Sequence, residues 1–162
     1  MQLLQDINWN AWLAKDTATL TFVIKDGQIL LIRKKRGLGA GKINGPGRRL
    51  EPGETLPECA VREVQEELCI TPVNPEFCGE NLFQFTNGYS IHVHTYMASN
   101  FTGLPEETDE AIPLWFPLEQ IPYEEMWADD IIWIPEMLKG NRFKGHYLFD
   151  GDQLLEHHLE TF

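Results

Sequence analysis

Glu63, Glu66 and Glu67 stand at i, i+3 and i+4 in a stretch of helical periodicity, a spacing that projects their carboxylates from one helix face. Like charges so placed repel by roughly 0.2–0.5 kcal/mol per pair, a cost readily offset by a divalent cation bound among them. Hard oxygen ligands suit Mg2+ or Mn2+, and Mg2+ usually completes its shell with water and substrate phosphate. The pattern therefore points to a site that handles phosphates. Three acids alone would more plainly make a solvated helix face, and it is their surroundings that decide against that reading.

The elements that must hold these acids are well signposted. Thr55 and Glu58 form a T-x-x-E capping box, Pro57 falls in the first turn, and Ala60, Val61, Val64 and Leu68 mark an apolar stripe. Together they predict a helix over Leu56–Leu68, with the acids opposite the stripe. Upstream, Gly37, Gly39, Gly41, Gly45, Gly47 and Gly53 crowd one stretch, which suits a loop that approaches a ligand closely. Asp26-Gly27 and Asn87-Gly88 each separate two apolar runs and predict β-hairpins, the second joining Asn81–Thr86 to Tyr89–Met97; Asp150-Gly151 offers a third. A second helix is expected after Asp129 and Asp130, through Ile131, Ile132 and Trp133, with Pro135 limiting its length. Hairpins with interspersed helices give an α/β protein, a mixed sheet covered by helices.

The chain of 162 residues suits one domain, without internal repeat or linker. Its net charge of −12 argues against nucleic-acid polymers and anionic membranes as partners, and leaves a small molecule as the expected ligand. Seven of the thirteen Lys and Arg residues nevertheless fall between Arg33 and Arg49, a segment that could receive a small polyanion. Cys59, Cys69 and Cys78 are odd in number and lack CxxC spacing, so a disulfide framework and a zinc site are both disfavoured and a reducing cytoplasm is expected. No run is long and apolar enough to span a membrane, and the first residues lack the pattern of a signal peptide. The oligomeric state is not legible, and a monomer is compatible with the sequence.

Read together, Gly47-Arg48-Arg49-Leu50-Glu51-Pro52-Gly53-Glu54, seven residues, then Arg62-Glu63-Val64-Gln65-Glu66-Glu67 resembles the box of the Nudix hydrolases. Two positions depart from that pattern: Arg48 stands for its leading glycine and Cys69 for its trailing one. A left-handed Cys69 would cost around 1 kcal/mol relative to glycine. The resemblance runs from about Thr17 to the C-terminus and is nearest the MutT-homologue subgroup, leaving residues 1–16 as an N-terminal extension with no role given to it. It implies a Nudix fold over residues 17–162, with a mixed sheet sandwiched between helices. It also implies a metal site of Glu63, Glu66, Glu67, Glu110 and the Gly47 carbonyl, with Arg62 holding the box in shape. We take Glu67 as the principal ligand and Glu63 as the second, while Glu66 and Glu110 are both candidates for the general base.

The same resemblance places Thr19, Lys34, Asn44 and Phe83 around the substrate, and Trp127 with Asp129 and Asp130 in a Trp-x-Asp-Asp base-reading motif. Ionised Asp only accepts hydrogen bonds, but two adjacent buried carboxylates do not both ionise easily, so the pair could donate and accept together. The implied activity is Mg2+-dependent hydrolysis of oxidised purine nucleoside triphosphates, of the 8-oxo-dGTP or 2-oxo-dATP type, to the monophosphate and pyrophosphate. Such an enzyme sanitises the nucleotide pool and so prevents DNA damage. Another nucleoside diphosphate derivative as substrate, or a nucleotide-binding sensor, are the alternatives. His92 and His94 share one strand face but, with no third ligand evident, are read as sheet-surface residues; Trp9, Trp12 and Trp133 are read as packing residues.

Overall fold

A computed structural model of the chain describes residues 3–162. Among these residues the strands are β1 (Asp16–Lys25), β2 (Gln28–Lys34), β3 (Ile43–Asn44), β4 (Ile70–Pro72), β5 (Glu76–Phe85), β6 (Ser90–Ala98), β7 (Phe101–Gly103), β8 (Ala111–Pro117), β9 (Phe143–Asp150) and β10 (Gln153–Thr161). Helices α1 (Leu56–Leu68) and α2 (Asp130–Leu138) complete the framework. One eight-stranded sheet runs β10-β9-β5-β6-β1-β2-β3, with β8 also paired to β2, while β4 and β7 form a separate ribbon. Within it β1 pairs with β6, and β5 with β9, in parallel, so the sheet is mixed.

All three expected hairpins are present. At the first, Asp26 and Gly27 both adopt positive φ (53° and 75°), the pair of angles that a two-residue turn needs to follow the strand twist. Strand β5 starts at Glu76, earlier than the Asn81 expected from the sequence, because a register shift between Phe77 and Gly79 breaks the alternation that would have revealed its first half. Helix α1 has the predicted bounds. The Glu58 N–H donates to Thr55 Oγ1 (3.3 Å), the Thr55 N–H to Glu58 Oε1 (3.0 Å), and Ala60, Val64 and Leu68 are fully buried. Cys69 closes it in the left-handed conformation (φ 64°), its N–H bonded to the Gln65 carbonyl at 3.0 Å. In α2 Pro135 removes one ladder donor, yet buried Trp133, Ile134 and Met137 hold the helix to Leu138.

The helices cover opposite faces, as expected. Thr21 Oγ1 donates to the Ala60 carbonyl (2.9 Å) where α1 crosses β1, and Val64 and Leu68 pack there with Val23, Leu30 and Ile32. On the other side Trp133 of α2 stacks on Phe143 (5.2 Å between centroids) and meets Phe22 edge-on. The segment before β1 lies on the α1 side: Trp9 contacts the His146 ring at 4.4 Å, and the Trp12 indole N–H donates to Gln84 Oε1 at 2.8 Å. These two tryptophans pack, as expected. No helix among the described residues is long and apolar enough to cross a membrane.

Candidate active site

Helix α1 buries two of its three acids. Glu63 and Glu67 are only 4% and 2% exposed, and Glu63 Oε2 and Glu67 Oε1 are buried without a hydrogen-bond partner. Glu63 and Glu67 are thus not part of a merely solvated helix face, whereas the Glu66 side chain is open (56%) and turns to Arg62. The reason is the loop from Pro46 to Arg49. It is clamped onto β1 by Thr19 N–H to Arg48 O (3.0 Å) and Thr21 N–H to Pro46 O (2.8 Å), and it brings the Gly47 amide to Glu67. Burial, then the neighbouring Glu63 charge, pushes Glu67 up to about 8, and burial raises Glu63 too. Paired buried carboxylates with orphaned oxygens fit a divalent cation, which would satisfy both atoms and offset their repulsion.

Arg62 organises this box. Its guanidinium bonds Glu54 (Nη2 to Oε1, 2.9 Å), Glu63 (2.7 Å) and Glu66 (3.1 Å), and the bond from Arg62 holds Glu54 down at about 2. Glu110, in the turn before β8, is fixed by its carbonyl accepting from Lys35 N–H (3.0 Å). Its carboxylate is shared by Arg36 and by Arg48 (2.9 Å), whose bonds keep it below the usual carboxylate range. Arg48, in place of the box's leading glycine, thus pairs with Glu110. Gly47 is the irreplaceable neighbour: at φ 149° a Cβ there would lie 1.9 Å from the Thr19 carbonyl oxygen.

A cavity of about 620 Å3 opens beside the box, within the range of small-molecule sites. Lys34, Gly47 and Arg48, which surround Glu67, also line it, so box and cavity are one site. The basic segment is less available than its sequence implies. Arg33, Lys35, Arg36, Lys42, Arg48 and Arg49 each pair with an acid, whereas Lys34 makes no ion pair within 4.0 Å among the described residues. Burial lowers Lys34 and the Glu67 charge opposes that shift. Asn44 on β3 and Phe83 on β5 line the cavity as expected, Phe83 stacked on Tyr147 at 4.9 Å. Thr19 also borders it, but its hydroxyl donates to Cys59 Sγ (3.3 Å) beneath α1, because alternation along β1 turns that side chain to the opposite face.

Asp129 and Asp130 close the far end of the cavity, 3% and 7% exposed. Asp129 does not cap α2. Its carboxylate instead accepts from the Trp133 indole N–H at 2.8 Å. Burial pushes both acids upward, Asp130 further because the Asp129 charge adds to it, which favours a shared proton and with it a donor and an acceptor side by side. Trp127 stands over this end, edge-on to Phe149 at 5.5 Å, with Lys42 Nζ 5.3 Å from its ring and Gly39 too close to its indole nitrogen to carry a Cβ. Trp133 therefore both packs and orients Asp129, a role its i+4 spacing from Asp129 signals. Asn81 and Tyr147, which share a 2.9 Å hydrogen bond beside the pair, carry no such signal because only strand pairing joins them.

One premise of the sequence reading is corrected. His92 and His94 do have a third partner, Glu80 of β5, and these three make the only group of three or more His, Cys, Asp or Glu ligand atoms within 4.8 Å of one another among the described residues. The box carboxylates do not converge to that degree.

The NUDIX domain family model matches residues 15–137. An oxidized purine nucleoside triphosphate hydrolase from Danio rerio is 43% identical over 144 residues, spanning 88% of this chain and 92% of that protein. One from Mus musculus is 38% identical over 143 residues, spanning 87% and 92%. The crystal structure of a mutator MutT protein from Bacillus halodurans is similar at a TM-score of 0.81 and 27% identity, covering 90% of this chain and 97% of that one. With the Arg62–Glu67 core of its box intact and a match over most of its length, the chain belongs to the NUDIX domain family.

Proposed function

We propose that this chain hydrolyses oxidised purine nucleoside triphosphates to the monophosphate and pyrophosphate, with Mg2+ or Mn2+ held by Glu67 and Glu63 and by the Gly47 carbonyl. The observation that carries the reading is one cavity whose lining contains the buried Asp129–Asp130 pair and also Lys34, Gly47 and Arg48, the neighbours of buried Glu67. The relatives named for this activity support the choice of substrate.

When bound, the cation supplies Lewis-acid stabilisation of phosphate charge. The chain's own groups do the rest. Lys34 meets the triphosphate with its ammonium, and Arg62 keeps Glu63 and Glu66 in place. Trp127 stacks on the base, Asn44 and Phe83 flank it, and the aspartate pair reads its edge by donating one hydrogen bond and accepting another. An oxidised purine differs from its parent in where donors and acceptors stand, which is what such a pair discriminates. Glu66 is the base we assign to the attacking water, since its side chain is open to solvent while the Glu110 carboxylate is engaged by both Arg36 and Arg48. Free Cys59, Cys69 and Cys78, and a nucleotide as substrate, suit action in the cytoplasm.

The test is pyrophosphate release from a panel of normal and oxidised purine triphosphates, alongside nucleotide sugars and dinucleotides. The account expects the oxidised purines to be preferred by kcat/KM. Equal rates on normal and oxidised triphosphates, or preference for a diphosphate derivative, would reject the assignment; saturable binding without turnover would make the chain a sensor.

A further inference from the structure

On the sheet face away from the nucleotide cavity, three metal-ligating side chains meet. Ile91 and Val93 of β6 line the cavity, so alternation sends His92 and His94 out of the opposite face; Asn81 and Phe83 of β5 likewise leave Glu80 on that side. Register sets Glu80 directly across from His94, and the two imidazoles stack with centroids 4.2 Å apart. Each of the three offers a ligand atom within 4.8 Å of the other two.

We propose that Glu80, His92 and His94 form a second cation site, for a borderline transition-metal dication with Zn2+ foremost, separate from the oxygen-ligand site of the Nudix box. His92 Nε2 is buried and has no hydrogen-bond partner; the nearest acceptor, Glu80 Oε1, is 3.6 Å away, beyond bonding distance. A ring nitrogen left in that state costs free energy that a metal bond would recover. Burial also lowers the proton affinity of both imidazoles, which favours the neutral form that can ligate a metal.

Two imidazole nitrogens and one carboxylate oxygen are a donor set for Zn2+, with a fourth position left for water, whereas Mg2+ prefers oxygen alone. The chemistry of the two sites therefore sorts the ions between them. Solvent reaches the cluster, the Glu80 and His92 side chains being 25% and 27% exposed. Lys144 Nζ, 3.7 Å from Glu80 Oε1, is the competing cation; its side chain is 41% exposed and free to swing into water when a doubly charged ion arrives.

Occupancy would staple β5 to β6. The other faces of these two strands carry Asn81, Phe83, Ile91 and Val93 of the cavity wall, so the ion would stiffen the nucleotide site from behind without touching nucleotide. The readout is thus stability as well as occupancy. At a hundredfold excess over its Kd, Zn2+ should raise Tm by roughly 5–10 °C.

The experiment titrates Co2+, then Zn2+, into the full chain in the presence of excess Mg2+. Expected is one equivalent of Co2+ with the intense visible absorption of a low-coordinate, nitrogen-containing site, displaced by Zn2+. H92Q and H94Q should lose it, E80Q should weaken it at least tenfold, and all three should keep wild-type circular dichroism and Mg2+-dependent turnover. E67Q, which disables the box, should retain it, so failure of this proposal is distinguishable from failure of the proposed hydrolase reading. Co2+ binding that disappears in E67Q yet persists in H92Q and H94Q would overturn the proposal, as would an octahedral spectrum or no bound equivalent above excess Mg2+. Should one histidine variant fold poorly, the other and E80Q report the same quantity.

Discussion

Replacing Gly47 by alanine puts the account under the greatest local stress. The added Cβ would fall 1.9 Å from the Thr19 carbonyl oxygen, 2.8 Å from its carbon and 2.9 Å from Leu20 Cα, all backbone of the central strand β1. Relief requires the loop to move by roughly 1 Å or more, since non-bonded atoms do not approach so closely. Such a shift pulls apart the two bonds that clamp the loop, Thr19 N–H to Arg48 O and Thr21 N–H to Pro46 O, and both threonines are fully buried. Two buried amides left unsatisfied cost about 1–3 kcal/mol each, hence about 2–6 kcal/mol together, against a usual total of about 5–15 kcal/mol. Urea unfolding should show a loss of that size. Any G47A molecules that remain folded carry a displaced Gly47 carbonyl, so their Mg2+ titration of turnover should move to higher concentration by at least tenfold. A variant within about 1 kcal/mol of wild type with an unchanged Mg2+ dependence would refute the geometry of this loop.

Trp127→Ala should remove a base-stacking contact of about 1–3 kcal/mol, which steady-state kinetics would read as a roughly 5- to 150-fold rise in KM for oxidised purines with kcat little changed. Asp129 and Asp130 have raised proton affinity in the folded state, so between their unfolded values near 3.8 and their folded ones the native chain holds more protons than the unfolded chain. Stability from this pair is therefore present below pH 4 and falls as pH climbs through about 6 and beyond; thermal melts of Asp130→Asn should show a shallower fall and a higher Tm than wild type at pH 8. Cys69→Gly relieves a left-handed residue at φ 64° and should raise stability by about 1 kcal/mol, read from the midpoint of urea unfolding.

What the sequence made legible was local. The turn at Asp26-Gly27, the capping box at Thr55 and Glu58 and the left-handed Cys69 are each decided within a few residues, and the structure has them where residue type requires. The Asp129–Asp130 pair was legible as a coupled acid pair because adjacency and burial suffice to raise it. Illegible were features made by pairing between distant strands. That Glu67 and Glu63 are buried, and Glu66 is not, depends on a loop clamped to β1. The neutralisation of the basic segment depends on acids as far away as Glu125 and Asp152. Glu80 meets His92 and His94 only through a register set by the irregularity between Phe77 and Gly79, and a slip of one residue would have turned it to the cavity side.

The central claim is that Glu67 holds the cation that makes this cavity hydrolytic. It is tested most directly by pyrophosphate release from 8-oxo-dGTP across a Mg2+ titration, for the wild type and for Glu67→Gln of matched circular dichroism. The account predicts turnover that requires Mg2+ in the wild type, and a loss of roughly 100-fold or more in kcat for the variant, which keeps its fold because glutamine preserves the buried shape. Metal-independent turnover, or a variant within tenfold of wild type, would contradict it.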